Sequence, residues 1–108
     1  MSKVNKEFKK NIVAGLGEIG TPILKLLSDK ELTLGYDINK KLMNQKEFKK
    51  NEKISTLTLH ICIPFSKKFI SNVQNLVKEF EPEIIVIHST VSPRTTSDLQ
   101  SKLSIPII

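Results

Sequence analysis

Three glycines lie in the stretch Gly15-Leu16-Gly17-Glu18-Ile19-Gly20, which has the spacing G-x-G-x-x-G. This spacing suits the binding of phosphate at a strand-to-helix turn. Gly15 allows the tight turn, Gly17 lets a pyrophosphate approach the backbone, and Gly20 lets the helix pack close to the sheet. Free N–H groups and the helix dipole would stabilise the anion. The alternative is an ordinary turn that binds nothing.

Asp37 is the second candidate, and it follows Gly20 by 17 positions. It ends a predicted strand, where a carboxylate can accept hydrogen bonds from the ribose hydroxyls of an adenosine. The same charge would repel a 2′-phosphate, which favours NAD over NADP as the cofactor. Lys40 and Lys41 weaken that preference because a nearby cation could accept the phosphate. The alternative for Asp37 is a solvated acid at a strand end.

Short apolar runs alternate with amphipathic stretches on both sides of these residues. Period-two or continuous apolar patterns predict strands over 12–14, 32–37, 54–64, 84–87 and 105–108. Helical spacing predicts a first helix with an apolar face over 19–27, ended by Ser28-Asp29. It also predicts a short helix within 39–53 and helices over 66–80 and 93–103. Run 84–87 is typical of a strand buried on both faces. The alternation predicts one α/β domain over 1–108, Rossmann-type and doubly wound with a mostly parallel sheet, after a basic lead-in over 1–10.

The carboxyl ends of the remaining strands should line the same crevice, because ligands of open α/β sheets bind there. These ends nominate the cofactor-binding candidates Ile63, Pro64, Phe65, Ser89 and Thr90, with His88 beside them. Pro64 and Phe65 could pack on the adenine or on the nicotinamide-side ribose. Ser89 and Thr90 offer hydroxyl groups near the nicotinamide. The alternative is that all of these residues only form the turns after their strands and bind no ligand.

Composition bounds the other classes of function. The chain has 108 residues, a formal net charge of +6 and one cysteine, which excludes an internal disulfide. No apolar run approaches the roughly 20 residues of a membrane span, and the charged start is no secretory signal, so we expect a cytoplasmic protein. Nucleic-acid binding is not favoured, because Phe48 alone interleaves with the lysines of 40–53. No residue spacing predicts a metal site. A homo-oligomer is possible, and the composition does not decide between it and a monomer.

The two histidines and the cysteine are interpreted as residues without a role in catalysis or metal binding. His60 alternates with apolar residues on a strand and is interpreted as structural, because a single histidine without partners is no ligand set. His88 is better placed, at a strand end, but no adjacent nucleophile or acid supports catalysis. Cys62 is interpreted as a small core residue.

The motifs resemble the 6-phosphogluconate, β-hydroxyacid and UDP-glucose (GDP-mannose) dehydrogenase superfamily. The stretch from Gly15 to Pro22 resembles its G-L-G-x-x-G-x-P opening. Ile61-Cys62-Ile63-Pro64 resembles the I-C-V-P strand end of the sugar-nucleotide enzymes, and Ser89 to Thr96 resembles their S-T-V-x-P-x-T-T loop. The strand end Tyr36-Asp37-Ile38-Asn39 is similar to that of NAD-preferring members.

The resemblance implies the NAD(H)-binding domain of a dehydrogenase, with Ile38 at the cofactor. It also implies that Thr90 lies beside the nicotinamide or positions a catalytic water, a weak catalytic candidate. In the family the nucleophilic cysteine or the catalytic lysine belongs to a later domain. We therefore expect a truncated chain that is not catalytically complete alone. The alternatives are a stand-alone NAD-sensing or regulatory module and a basic interaction domain with a vestigial nucleotide site.

Overall fold

Four parallel strands form one sheet, in the order β2-β1-β3-β4, in a computed structural model that describes residues 8–108. The strands are β1 (Lys10–Ala14), β2 (Thr33–Tyr36), β3 (Thr56–Ile61) and β4 (Ile84–Ile87). Every neighbouring pair is parallel, and helices connect the strands. The predicted doubly wound α/β fold with a parallel sheet is therefore confirmed.

Four α-helices lie between and after the strands. They are α1 (Gly20–Ser28), α2 (Gln45–Lys50), α3 (Phe69–Phe80) and α4 (Pro93–Lys102), with a 3₁₀ turn at Lys40–Leu42 before α2. Side chains cap two of them: Asn44 accepts a hydrogen bond from Glu47 N at 3.1 Å before α2, and Ser92 accepts from Thr95 N at 3.3 Å before α4. Among residues 8–108, no helix is long and apolar enough to cross a membrane.

The core lies on the face of the sheet that α3 and α4 cover. Ile12 of β1, Leu59 of β3 and Ile85 of β4 are fully buried there. The amphipathic stripe of α3 and one apolar residue of α4 fill the space above them, with Phe69, Val73 and Leu99 also buried. A ring cluster of Tyr36, Phe48 and Phe80 extends this core towards β2.

Strand β4 is buried on one face only, whereas its apolar run predicts burial on both faces. Ile85 is fully buried, but Ile84, Val86 and Ile87 are partly exposed. Alternation along the strand places Val86 on the face opposite to Ile85, next to His60 of β3. Helix α1 packs on β1 and β2, on the other half of the sheet. The second face of β3 and β4 is therefore only half covered by residues 8–108, which the continuous apolar run does not reveal.

The C-terminal run, predicted as a strand over 105–108, forms a single parallel bridge between Ile107 and Ile85. Ile85 N donates to Pro106 O at 3.0 Å, and Ile108 N donates to Ile85 O at 2.8 Å. The run thus lies beside β4 at the edge of the four-stranded sheet, but its single bridge is less than the strand that the sequence predicts.

Lys10 belongs to β1 and not to the basic lead-in predicted over 1–10. Most of that predicted lead-in lies outside the described residues. Lys10 begins β1 and is only 3% exposed. Its Nζ donates to Asn51 O at 2.9 Å and to Glu52 O at 3.0 Å. Burial lowers the pKa of the Lys10 ammonium, and the nearby Glu52 carboxylate opposes that shift. A lysine with carbonyl partners can therefore start a buried strand.

Candidate functional site

The glycine loop lies where the strand order changes direction. The chain leaves β1 and adds β2 on one side, and then adds β3 on the other side of β1. Gly15 N donates to Tyr36 O at 2.8 Å, and Cys62 N donates to Ala14 O at 2.8 Å. The carboxyl ends of three strands therefore meet at the loop. In open α/β sheets such a switch point is the place where ligands bind.

Gly15 and Gly20 are needed by the fold itself. Gly15 has φ +100°, and a Cβ there would lie 2.7 Å from the backbone carbon of Cys62. A Cβ on Gly20 would overlap the carbonyl oxygen of Gly15. These two glycines permit the turn and the close approach of α1 to β1, whether or not a ligand binds.

Gly17 has no such structural requirement. It is exposed, its φ lies outside the left-handed region, and a Cβ added to it would meet nothing within 4 Å. The absence of a side chain leaves open space directly above the loop. A pyrophosphate that contacts the backbone needs this space, so the cradle fits the cofactor that the sequence predicts.

The N-terminus of α1 is open to an anion. Its N-cap residue is Ile19, which makes no side-chain hydrogen bond to the helix, and its first turn contains no acidic residue. Thr21 Oγ1 donates to Leu16 O at 3.0 Å, which ties the helix start back to the loop. The positive end of the helix dipole thus faces the space above Gly17 without a capping side chain from the described residues.

Asp37 lies at the edge of the same loop. Its Oδ2 accepts from Leu16 N at 2.8 Å, and its Oδ1 accepts from Asn39 N at 2.9 Å. Each carboxylate oxygen can accept a further hydrogen bond, so these contacts leave capacity for ribose hydroxyls. Lys40, one of the two cations near the predicted ribose site, places its Nζ 4.7 Å from the centre of the Tyr36 ring.

The ends of β3 and β4 are held together beside the loop. His88 N donates to Ile61 O at 2.8 Å, and Ser89 Oγ donates to Ile63 O. These bonds bring the predicted segments 63–65 and 88–90 next to each other. Pro64 and Thr90 are both exposed at this edge.

Large apolar side chains stand in solvent around the loop and the strand ends. Ile38 is 88% exposed, Phe65 is 54% exposed and Ile19 is 49% exposed. Ile38 follows Asp37 directly, and Phe65 follows the end of β3. Such surfaces suit the flat faces of aromatic rings, which fits the predicted adenine and nicotinamide ends of a dinucleotide.

The structure brings together two histidines that sequence reasoning treated separately. His60 Nδ1 lies 2.9 Å from His88 Nε2, and the ring planes differ by 23°. The ring centroids are 5.1 Å apart, so the rings meet end to end through one N–H···N hydrogen bond. Burial lowers the pKa of both histidines, and the neighbouring His88 lowers that of His60 further, against a raising effect of Glu31. His60 therefore has a partner, contrary to the expectation of an isolated side chain.

Cys62 lies under the start of α1. Its Cβ would be 3.2 Å from a Cβ on Gly20, and its side chain is half-buried rather than part of the core. Burial raises the pKa of its thiol to about 11. A thiol in this state is a poor nucleophile.

One cavity of the described residues lies away from the crevice above the loop. It has a volume of about 350 Å³ and lies beside the edge strand β2, between Leu24, Leu34 and Leu42. Leu16 is the only residue of the glycine loop that lines it. Within residues 8–108, no three His, Cys, Asp or Glu side chains lie close enough together to hold a metal ion.

These features define a doubly wound α/β domain with a glycine loop at the switch point of a parallel sheet. No family model matches the sequence, and comparison with curated proteins and with solved structures finds no match.

Proposed function

We propose that this chain is the NAD(H)-binding domain of a dehydrogenase that resembles the UDP-glucose (GDP-mannose) or 3-hydroxyacid dehydrogenases. Gly17 carries the proposal. Gly15 and Gly20 are explained by the fold, whereas a side chain on Gly17 would enter open space. A ligand that approaches the backbone at this position gives glycine a reason to be there.

The other site residues support one path for an extended dinucleotide. The adenosine ribose lies at Asp37 and its adenine against Ile38. The pyrophosphate lies over Gly17 at the start of α1, and the nicotinamide half lies across the ends of β3 and β4. This path crosses the strands in their spatial order, from β2 over β1 to β3 and β4. It passes the nominated positions at the glycine loop, at Asp37 and Ile38, and at the ends of β3 and β4.

The nicotinamide of the bound cofactor supplies the hydride acceptor or donor. This chain's residues bind and orient it. Ser89, whose hydroxyl holds the end of β3, fixes the position of Thr90 next to the nicotinamide. The catalytic cysteine or lysine of the resembling enzymes belongs to another domain, so hydride transfer needs residues beyond those at this site.

Calorimetric titration of the 108-residue chain with NAD and NADP tests the proposal, and the variant Gly17→Ala sharpens the test. We expect NAD to bind, NADP to bind more weakly, and Gly17→Ala to weaken NAD binding by about tenfold or more, because its methyl group occupies the phosphate's space. Lys25→Ala, an exposed change on α1, is the matched control and should bind like the wild type.

Two results contradict the proposal. One is no binding of either nucleotide at millimolar concentration, and the other is unchanged NAD binding by Gly17→Ala. Urea denaturation of Gly17→Ala shows whether the variant is folded. If the chain binds NAD but no complex that contains it transfers a hydride, the NAD-sensing alternative is favoured instead.

A further inference from the structure

His88 stands in one row with the glycine loop. Ala14 pairs with Ile61, and Ile61 pairs with Ile87, so the next residues, Gly15, Cys62 and His88, lie level across β1, β3 and β4. Neighbouring strands are about 4.8 Å apart, which places the His88 backbone about 10 Å from that of Gly15. A pyrophosphate over the loop would therefore lie on the order of 10 Å from this histidine, a distance at which its charge acts on the imidazole most strongly at low salt.

The His60–His88 contact has room for one additional proton. In the neutral pair one ring donates its N–H and the other accepts. The accepting ring already carries a proton on its other nitrogen, so the added proton goes to the second nitrogen of the donating ring. This keeps the hydrogen bond between the rings and makes it charge-assisted. A second added proton would leave donors facing each other, so the contact tolerates a single positive charge.

We propose that the His60–His88 pair is a proton-binding site linked to dinucleotide binding, which takes up a proton when the pyrophosphate enters the glycine loop. The inference rests on the proposed function, because it needs an anion at that loop. Each phosphate carries a negative charge and stabilises the charged pair across the row of strand ends. By reciprocity, a protonated pair binds the dinucleotide more tightly than a neutral one.

The sign of the effect follows from the state of the free protein. Burial, together with the neighbouring His88 in the case of His60, lowers the pKa of these histidines, so the pair is neutral at about pH 8. The phosphates raise the pKa values again. Affinity for the dinucleotide therefore increases as the pH falls from about 8 to about 6.

Few other charged groups face the pair. Val13 of β1 and Val86 of β4 flank His60 in the sheet and carry no charge. Cys62, next along β3, has a thiol pKa of about 11 and stays neutral over this pH range. Glu31, after α1, acts on His60 and accepts a hydrogen bond from Asn11 at 2.7 Å. The adjacent helix α1 contributes Lys25, which is exposed.

Calorimetry of NAD binding to the 108-residue chain at about pH 8, 7 and 6 tests the link, with two buffers of different ionisation heat at each pH. At low ionic strength we expect affinity to rise as the pH falls, towards a limit of about fourfold that two charges acting on a third at about 10 Å in water give. The buffer dependence of the heat should show net proton uptake that grows as the pH falls from about 8 to about 6, because the histidine pKa values are lowered from 6.5 in the free protein.

Three variants locate the effect. His60→Gln and His88→Gln should each bind NAD at about pH 8 but lose most of the pH dependence and the proton uptake. Glu31→Gln is the control for the nearby carboxylate. It should keep the pH dependence and the proton uptake but move both to lower pH, because Glu31 raises the pKa of His60. A pH-independent affinity without proton uptake in the wild type overturns the link, and so does an unchanged profile in both histidine variants. Absence of binding at every pH overturns the proposed function itself.

Discussion

The carboxylate of Asp37 accepts a hydrogen bond from the backbone N–H of Leu16, with 2.8 Å between Oδ2 and N. This bond joins the end of β2 to the glycine loop after β1. The residue that the sequence assigns to the adenosine ribose thus also holds the loop that would bind the pyrophosphate. We therefore propose two roles for Asp37 at one position, of which the structure shows the bond to Leu16. An experiment on Asp37 must separate them.

Asp37→Ala should weaken NAD binding by about 1.5–3 kcal/mol, the value of a hydrogen bond to a charged group. An NAD analogue without the adenosine 2′-hydroxyl separates the two roles. If Asp37 contacts the ribose, the variant loses less affinity for the analogue than for NAD. Equal losses for both ligands would show that Asp37 acts only through Leu16. A tenfold or larger preference of the wild type for NADP would contradict the charge argument.

Gly20→Ala should lower the free energy of unfolding by about 3 kcal/mol or more, because the new methyl group meets a backbone oxygen that cannot rotate away. Alanine normally stabilises a helix relative to glycine by about 1 kcal/mol, so the sign is reversed here. Urea denaturation measures the change. Gly17→Ala is the matched control, and it should unfold at nearly the wild-type urea concentration.

The histidine pair should make stability depend on pH. The pKa of each histidine is lowered in the folded chain, so below pH 6.5 the unfolded chain binds more protons than the folded chain. The contribution is present above pH 6.5 and is lost as the pH falls below that value towards the folded pKa values. Urea denaturation on both sides of this pH measures the loss. His60→Gln and His88→Gln should each show a smaller loss, and an unchanged loss in both variants would contradict the assignment.

Cys62 should react slowly with thiol reagents in the folded chain. Its thiol pKa of about 11 leaves little thiolate near neutral pH. We expect Ellman's reagent at about pH 8 to react about a hundredfold more slowly than with an ordinary cysteine. Denaturation in urea is the control, since it should restore the ordinary rate. Equally fast reaction of folded and unfolded chain would show that the side chain is not desolvated.

Local patterns in the sequence identified most of the elements but not their depth of burial. The amphipathic spacing of Phe69 to Phe80 predicts α3, and Pro93 after Ser92 predicts the start of α4. The predicted helix over 66–80 begins three residues later than expected. Strand β4 is less buried than its apolar run predicts, because no local pattern shows which face a distant helix covers.

The sequence alone determined the local features of this protein, which depend on residues close together along the chain. The spacing of Gly15, Gly17 and Gly20 between a strand and a helix specifies a turn, and the alternation of strands with helices specifies a parallel sheet. Only the tertiary structure decided which strands lie side by side. The order β2-β1-β3-β4 brings Asp37 to Leu16 and places His60 against His88, 28 residues away. Such contacts depend on strand order and register, and these are set by packing of the whole sheet rather than by any local run of residues.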